Sequence, residues 1–445
     1  MKKVAFQTLG CKLNFAESST IGRQFVERGF TVVNPDQPSD IFVLNTCTVT
    51  QKAERECRRL IRRVLRRSPE TYVIVVGCYS QLQAKEIAKI NGVDLILGGE
   101  EKFHPLNYAG EFRKSSAPGI FISRINETEN IHPAYSSDVG GRTRAFLKIQ
   151  DGCDYNCSFC TIPGARGMSR SLPVQNIVDQ ARKIINQGHR EIVLTGVNVG
   201  DYGRKNGTDL LGLMKELEKL DGIERIRISS VEPNLLTRQT VDFILQSDKY
   251  CKHFHIPLQS GSNIILRRMR RRYTTESYRD LVEYINNNDP EAGIGIDVIA
   301  GFPGETDILF NQTVSFLEDL QFSYIHAFTY SERPGTPATD YAEIIQPNVR
   351  HARNEVLRSI GKKKKAEFIK RFIGKSLTVL FENSQNDGFV SGLSSNYIRI
   401  SAEGDASLIN QLRCVTVTEV HDETCAGFIK ESVNMTQNAP EVCVS

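Results

Sequence analysis

Residues 145–160 read Ala145-Phe146-Leu147-Lys148-Ile149, then Gln150-Asp151-Gly152, then Cys153-Asp154-Tyr155-Asn156-Cys157-Ser158-Phe159-Cys160. The first five have the composition of a buried strand, and the glycine ends it, so the cysteines fall on the loop that leaves the strand's carboxyl end. In parallel α/β architectures that is where ligands bind. The spacing is C-x3-C-x2-C. Three thiolates on one loop ligate three irons of a [4Fe–4S] cube and leave the fourth iron open to a substrate or cofactor. A closed ferredoxin-type cluster needs a fourth cysteine close by, and none occurs between Cys160 and Cys251. A zinc knuckle is the bland alternative, but three cysteines with no local fourth ligand leave tetrahedral zinc incomplete.

Downstream of this loop, the runs 191–194, 226–228, 253–256, 294–299 and 324–328 are further strand candidates separated by segments of helical apolar spacing. With 145–149 they predict about six βα units, an open or partial barrel. Upstream, Val4-Ala5-Phe6-Gln7-Thr8-Leu9, Ile41-Phe42-Val43-Leu44 and Tyr72-Val73-Ile74-Val75-Val76 alternate with helical segments in the same way. This βαβαβα order implies a parallel sheet. Cys11, Cys47 and Cys78 each follow one of those strands, so three cysteines far apart in sequence are expected to meet at one sheet edge. Residues from about 99 to 140, rich in Pro, Gly and Ser, are expected to form a linker with a short hairpin. After Arg333-Pro334-Gly335-Thr336-Pro337, residues 348–373 read as one long amphipathic helix carrying Lys362 to Lys365. From Lys375 to about Glu431, short β-rich runs broken by Gly and Asn predict a small β-barrel.

The 445 residues exceed the roughly 250–300 at which a single core stops growing, so two or three domains are expected. Composition is that of an ordinary globular protein, with 40% hydrophobic and 24% charged residues. Met1-Lys2-Lys3 is followed too soon by Gln7 for an export signal, and the apolar runs stop far short of the roughly 20 residues of a membrane span. A cytoplasmic location is expected, with eleven cysteines that a reducing compartment keeps as ligands, catalytic thiols or core residues. Cys57, Cys251, Cys414, Cys425 and Cys443 lack cluster spacing and read as core or surface thiols.

The loop Cys153 to Cys160, with Phe159 as its aromatic, resembles that of the radical S-adenosylmethionine superfamily. Gly10-Cys11-Lys12-Leu13-Asn14, Asn45-Thr46-Cys47-Thr48-Val49, Gly77-Cys78, Asp151-Gly152-Cys153 and Ile162-Pro163-Gly164-Ala165-Arg166-Gly167 narrow the resemblance to the methylthiotransferases. It covers nearly the whole chain. It implies an α/β protein with a Rossmann-like parallel-sheet domain over 1–135, a partial (β/α)6 radical domain over 140–370 and a TRAM β-barrel over 373–436. Leu9-Gly10-Cys11-Lys12-Leu13-Asn14, Gln150-Asp151-Gly152-Cys153 and Leu194-Thr195-Gly196-Val197-Asn198 are most similar to the branch that methylthiolates C2 of N6-threonylcarbamoyladenosine, the tRNA base just 3′ of the anticodon. Relatives act on N6-isopentenyladenosine in tRNA or on a ribosomal-protein aspartate. A reading of another class is an RNA-binding iron–sulfur sensor, which would bind RNA without cleaving S-adenosylmethionine.

By this resemblance Cys11, Cys47 and Cys78 hold an auxiliary [4Fe–4S] cluster, and Cys153, Cys157 and Cys160 hold the radical cluster. One S-adenosylmethionine donates a methyl group to sulfur on the former. A second is reductively cleaved at the latter to a 5′-deoxyadenosyl radical, which removes hydrogen from the unactivated adenine C2. An electron donor such as flavodoxin or ferredoxin is implied. Candidates to hold S-adenosylmethionine lie at strand ends: Phe159, Thr195, Gly196, Asn198, Ser230, Glu232, Gln259, Ser260 and Asp297. The superfamily's Gly-Gly-Glu is replaced here by Thr195-Gly196-Val197. Two basic groups, Arg58, Arg59, Arg62, Arg63 and Arg66 with Arg67 on one helix, and Arg267, Arg268, Arg270 and Arg271 with Arg272, are candidate tRNA-backbone contacts, although charge runs are often just solvated faces. Net charge is only +4, so such local clusters must decide. Tyr330, Glu332 and Arg333 are candidates for the threonylcarbamoyl group. No heptad or swapped element is evident, so a monomer is expected.

Overall fold

A computed structural model describes residues 1–48, 51–136, 143–384, 388–421 and 423–430. Strands β1 (Lys3–Thr8), β2 (Thr31–Val33), β3 (Ile41–Thr46), β4 (Tyr72–Gly77), β5 (Leu95–Leu97) and β6 (Gly119–Phe121) form one parallel sheet in the order β2-β1-β3-β4-β5-β6. Buried on both faces, its central strands read as unbroken apolar runs. Helices Lys12–Glu27, Gln51–Arg67 and Cys78–Ala88 connect them. The expected hairpin is corrected: within 99–140 the chain instead adds β6 parallel to β5, with Leu95 opposite Gly119. A three-residue strand is too short for its periodicity to register.

The second body begins with β7 (Arg144–Lys148). A clamp follows, β8 (Gln150–Asp151) paired antiparallel with β9 (Arg170–Ser171) across the base of the cysteine loop. Strands β10 (Glu191–Thr195), β11 (Arg225–Ile228), β12 (His253–His255), β13 (Gly293–Ala300) and β14 (Tyr324–Thr329) complete the layer. All pairings among β7 and β10–β14 are parallel, in two sheets, β11-β10-β7 and β12-β13-β14. Parallel bridges from Ile226 to Tyr250 and from Ser230 to His255 join the two into a six-stranded partial barrel. The outer helices start where side chains satisfy exposed N–H groups: Asp209, Thr237, Thr274 and Thr306 each accept from the first turn. Their apolar faces pack on the strands as the largest core.

Helix Pro347–Lys370 opens with proline at its first turn and runs along β14. It leads into β15 (Ser376–Ser384), β16 (Phe389–Ser394), β17 (Arg399–Glu403), β18 (Leu412–His421) and β19 (Thr424–Ile429), a barrel closed in the order β15-β16-β17-β19-β18. This small barrel is docked on the floor of the larger one. Arg225 and Arg227, buried at the start of β11, donate to the carbonyls of Leu393 (3.0 Å) and Ser394 (3.0 Å), with Glu191 between them. A Cβ on Gly293 would lie 2.1 Å from the Asn396 carbonyl oxygen, so only glycine admits the loop there.

Candidate active site

The loop Cys153–Cys160 is held from several directions. Gly152 has φ +73, and a Cβ there would stand 2.0 Å from the Met168 carbonyl oxygen. Cys153 N–H donates to Gly167 (3.0 Å), and the Ser158 hydroxyl to the Arg268 carbonyl (2.7 Å). Two donors aim at sulfur: Tyr155 N–H at Cys153 Sγ (3.4 Å) and the Arg271 guanidinium at Cys157 Sγ (3.1 Å). Burial pushes the Cys153 thiol up to about 11 and Cys160 up to about 12. Thiols in such surroundings are poor nucleophiles and acquire their anionic form from a cation. Three reduced cysteines on one loop, with N–H groups directed at their sulfurs, fit an iron–sulfur cluster.

Cys11, Cys47 and Cys78 follow β1, β3 and β4, which are neighbours in the sheet. A Cβ on Gly10, beside Cys11, would lie 3.1 Å from Cys47 Sγ. Cys78, raised by burial, also feels Cys11 and Arg166. The thiols are therefore gathered at one sheet edge as the strand order implies, and this donor set fits a second cluster. Asn14, one helical turn beyond Cys11, takes Arg166 Nη2 at 2.6 Å. Arg166 belongs to the helix that follows the other cysteine loop. It also meets Glu17 (3.0 Å) and Asp151 (3.0 Å), while Lys102 and Lys148 meet Glu17 at 2.7 and 3.3 Å. Burial alone would raise the Glu17 carboxyl, but Arg166, Lys102 and Lys148 hold it well below the usual range. The two cysteine sets are thus tied together by a buried network of fixed charges.

Gln150 links this network to the next strand end. Its Oε1 accepts from Val197 N–H (3.0 Å) and Asn198 N–H (2.9 Å), while Nε2 donates to the Gly152 carbonyl (2.7 Å). A Cβ on Gly196 would meet Oε1 at 2.8 Å. Thr195 is the buried last residue of β10, and the Asn198 amide is buried with no protein partner. Glu232 pairs with Arg271 beside Cys157. Ser230 bridges to His255. Phe159, Cys160, Gln259, Asp297, Ile299 and Tyr330 line a cavity of about 270 Å³. Asp297 accepts from His255 Nε2 (3.0 Å) and His326 Nδ1 (3.1 Å). Burial alone would raise its carboxyl, but these two imidazoles depress it. Ser260 is a correction: fully buried, it bonds Thr313 and caps Ser262 N–H, which uses its hydroxyl within the scaffold.

The basic groups are also revised. Arg59 is paired with Glu56, and Arg63 and Arg67 with Asp36. Arg268 is paired with Glu343, and Arg271 is turned inward. Arg58, Arg62, Arg66, Arg267 and Arg270 have no acidic partner among the described residues. Arg333 is buried against Glu54 and Thr48, where it braces the first body against the second, and Glu332 is held by Arg350 at 2.5 Å. These two are structural. Tyr330 keeps a buried hydroxyl with no partner beside the cavity. Cys57, Cys251 and Cys425 are buried free thiols. Cys414 is disulfide-bonded, contrary to expectation, and Cys443 lies outside the described residues. Sequence reading passed over Glu17, His255 and His326, and took Gln150 only as part of a motif. Their only local signal is a polar residue set among apolar ones, as with Lys148 inside β7.

A partial barrel with an open three-cysteine loop at its mouth defines a radical S-adenosylmethionine enzyme. The family model described as "Radical SAM superfamily" matches residues 147–317, and "Uncharacterized protein family UPF0004" matches 3–98. Within that class the chain belongs to the methylthiotransferases. It is 36% identical to the "Threonylcarbamoyladenosine tRNA methylthiotransferase MtaB" of Bacillus subtilis over 93% of each chain. To the Aquifex aeolicus protein of the same name it is 37% identical over 90% of this chain and 97% of that one. A "tRNA-2-methylthio-N(6)-dimethylallyladenosine synthase" from Pelotomaculum thermopropionicum is 32% identical over 94% and 95%. Among solved structures, the radical S-adenosylmethionine methyltransferase TsrM from Kitasatospora setae superposes with a TM-score of 0.53 at 15% identity, covering 76% of this chain and 77% of its own, which speaks for the fold alone. The family uses S-adenosylmethionine and [4Fe–4S] clusters. No helix of the described residues is long and apolar enough to cross a membrane.

Proposed function

We propose that this enzyme methylthiolates C2 of N6-threonylcarbamoyladenosine beside the anticodon of tRNA, in the cytoplasm and as a monomer fed electrons by a flavodoxin or ferredoxin. Two full-length relatives bearing that activity in their names support the substrate. The observation that carries the chemistry is the path of side chains from Cys11 through Asn14 and Arg166 to the loop of Cys153, which keeps two cluster-forming sets at a set separation. In this reading Cys153, Cys157 and Cys160 hold the radical cluster, and Cys11, Cys47 and Cys78 the auxiliary one. Residues 1–135, 140–370 and 373–436 serve as the cluster-bearing, radical and RNA-docking domains.

Bound there, the clusters and S-adenosylmethionine supply a carbon radical strong enough to take hydrogen from an unactivated C–H, together with a methylated sulfur to replace it. The chain's own residues do the rest. Arg271 sets a positive charge and an N–H on Cys157 sulfur. Gln150 fixes the Thr195–Asn198 loop against the cysteine loop, where Asn198 has amide atoms left to bind a ligand. Phe159 and Ile299 give the cavity an apolar wall, and Asp297 presents a carboxylate to it. Arg58, Arg62, Arg66, Arg267 and Arg270 attract the RNA backbone.

The test is the reconstituted enzyme with tRNA carrying N6-threonylcarbamoyladenosine. Cys153→Ala abolishes 5′-deoxyadenosine formation, whereas Cys78→Ala retains it and loses the 2-methylthio product by nucleoside mass spectrometry. Normal deoxyadenosine from Cys153→Ala, or thiomethyl transfer by Cys78→Ala, overturns the assignment of the corresponding cluster.

A further inference from the structure

Phe328 divides the lumen of the partial barrel. On one side is the cavity of about 270 Å³ beside Cys160, and on the other a cavity of about 560 Å³ between β14, helix Pro347–Lys370 and the Tyr397 turn of the small barrel. Phe328 borders both and leaves its ring 46% exposed. An interior aromatic face left open in this way is a stacking platform for a planar ligand. Two residues earlier on the same face of β14 is His326. Its Nδ1 bonds Asp297 Oδ1 at 3.1 Å, and the same oxygen takes His255 Nε2 at 3.0 Å. A carboxylate accepts only, so each of these nitrogens carries its hydrogen. The second nitrogen of His326 is left free on a half-exposed ring, with no partner among the described residues.

The charges around these rings are of both signs: Arg144 is paired with Glu382 and Arg227 with Glu191, which leaves Lys12 as the cation without an ion pair among the described residues. Lys12, Arg144 and Arg227 lie close enough to act on His253, the next inward-facing ring, which stacks with Tyr397. The Lys12 ammonium has no hydrogen-bond or ion-pair partner among the described residues, and the residue is half-buried. A lumen with a free imidazole nitrogen, an unpaired ammonium and a bare aromatic face suits a flat base bearing a polar, anionic arm. It does not suit an alkyl one, because a buried polar group left without its partner is costly.

We propose that His326 is the specificity residue that reads the N6 substituent of the target adenine. The base stacks on Phe328, and the free nitrogen of His326, oriented by Asp297, accepts a hydrogen bond from the urea or hydroxyl of the threonylcarbamoyl arm, whose carboxylate is drawn by Lys12. This rests on the substrate reading above and replaces Glu332 and Arg333, which the scaffold uses. It also differs from a metal site: the ligand atoms of His255, Asp297 and His326 lie within 4.8 Å of one another, but His255 Nε2 and His326 Nδ1 both donate to one carboxylate oxygen.

The experiment uses the reconstituted full-length enzyme and three anticodon stem-loops whose target base carries threonylcarbamoyl, isopentenyl or no substituent. The wild type prefers the first. His326→Phe lowers kcat/KM for the threonylcarbamoyl RNA about 10- to 100-fold, narrows the preference over the isopentenyl RNA, and leaves affinity for the unsubstituted RNA as it was. His326→Gln, which keeps an acceptor, recovers part of the loss, and iron content with the thermal midpoint reports folding of both. An unchanged preference in His326→Phe overturns the inference while the substrate reading stands. A divalent metal found beyond the cluster iron in the wild type and lost from His326→Phe overturns it in favour of a metal site. A wild type inert on the threonylcarbamoyl RNA overturns the substrate reading and this inference with it.

Discussion

Arg271 donates to Cys157 Sγ and holds Glu232, so one buried guanidinium places both a hydrogen bond and a charge on a loop sulfur. A hydrogen bond to a charged group is worth about 1.5 kcal/mol or more, and for a one-electron couple that is about 60 mV. Arg271→Met is therefore expected to move the radical cluster's potential about 60 mV more negative, because the reduced, more anionic state loses the most. A redox titration followed by electron paramagnetic resonance measures it. Gly152 is fixed by its backbone: at φ +73, with the Met168 carbonyl where a Cβ would be, Gly152→Ala has no room. The expected outcome is a chain that folds with a displaced cysteine loop and takes up iron at the auxiliary set only, read as roughly half the iron per chain.

Helix Lys12–Glu27 carries the link between the cysteine sets, and Glu17 is its centre. Its folded pKa and that of Asp151 lie below the unfolded values, so each adds stability that is fully present above the unfolded pKa, near 4, and is lost as pH falls toward the folded one. The thermal midpoint should thus drop on going from pH 5 to pH 3. Glu17→Gln flattens that slope and, because it leaves Lys102, Lys148 and Arg166 short of an anion, costs about 3–5 kcal/mol. Denaturant unfolding as a function of pH checks both. The legible and the hidden divide at this scale. The six barrel strands were readable because each is an apolar or alternating run set off by helical spacing, and the cysteine loop because its ligands are local. The short β6 was not, having too few residues to show a period. The Glu17 network and the Asp297 pair were not either, because they join residues 131, 42 and 29 positions apart, and no local pattern encodes such a meeting.

Across the whole molecule, charge that looks like an RNA surface in sequence is partly spent internally. Arg271 illustrates why: a run of arginines on a short helix and its exit turn points in all directions, and some of those directions are inward. Arg62 and Arg66 remain exposed and unpaired among the described residues. Replacing both by serine should lower the slope of log Kd for tRNA against log salt by about one unit per arginine, and Arg268→Ser by less, as filter binding over a salt series would show.

The small barrel's loop at 393–396 fills the floor under Arg225, Arg227 and Gly293. An enzyme stitched this way does not come apart at its seams. Cutting the chain after residue 374 would strip two buried cations of their carbonyl partners and take Tyr397 out of the aromatic stack. The shortened protein would then lose S-adenosylmethionine cleavage itself, and not merely its grip on RNA. What looks like a detachable handle is the bottom of the reaction vessel.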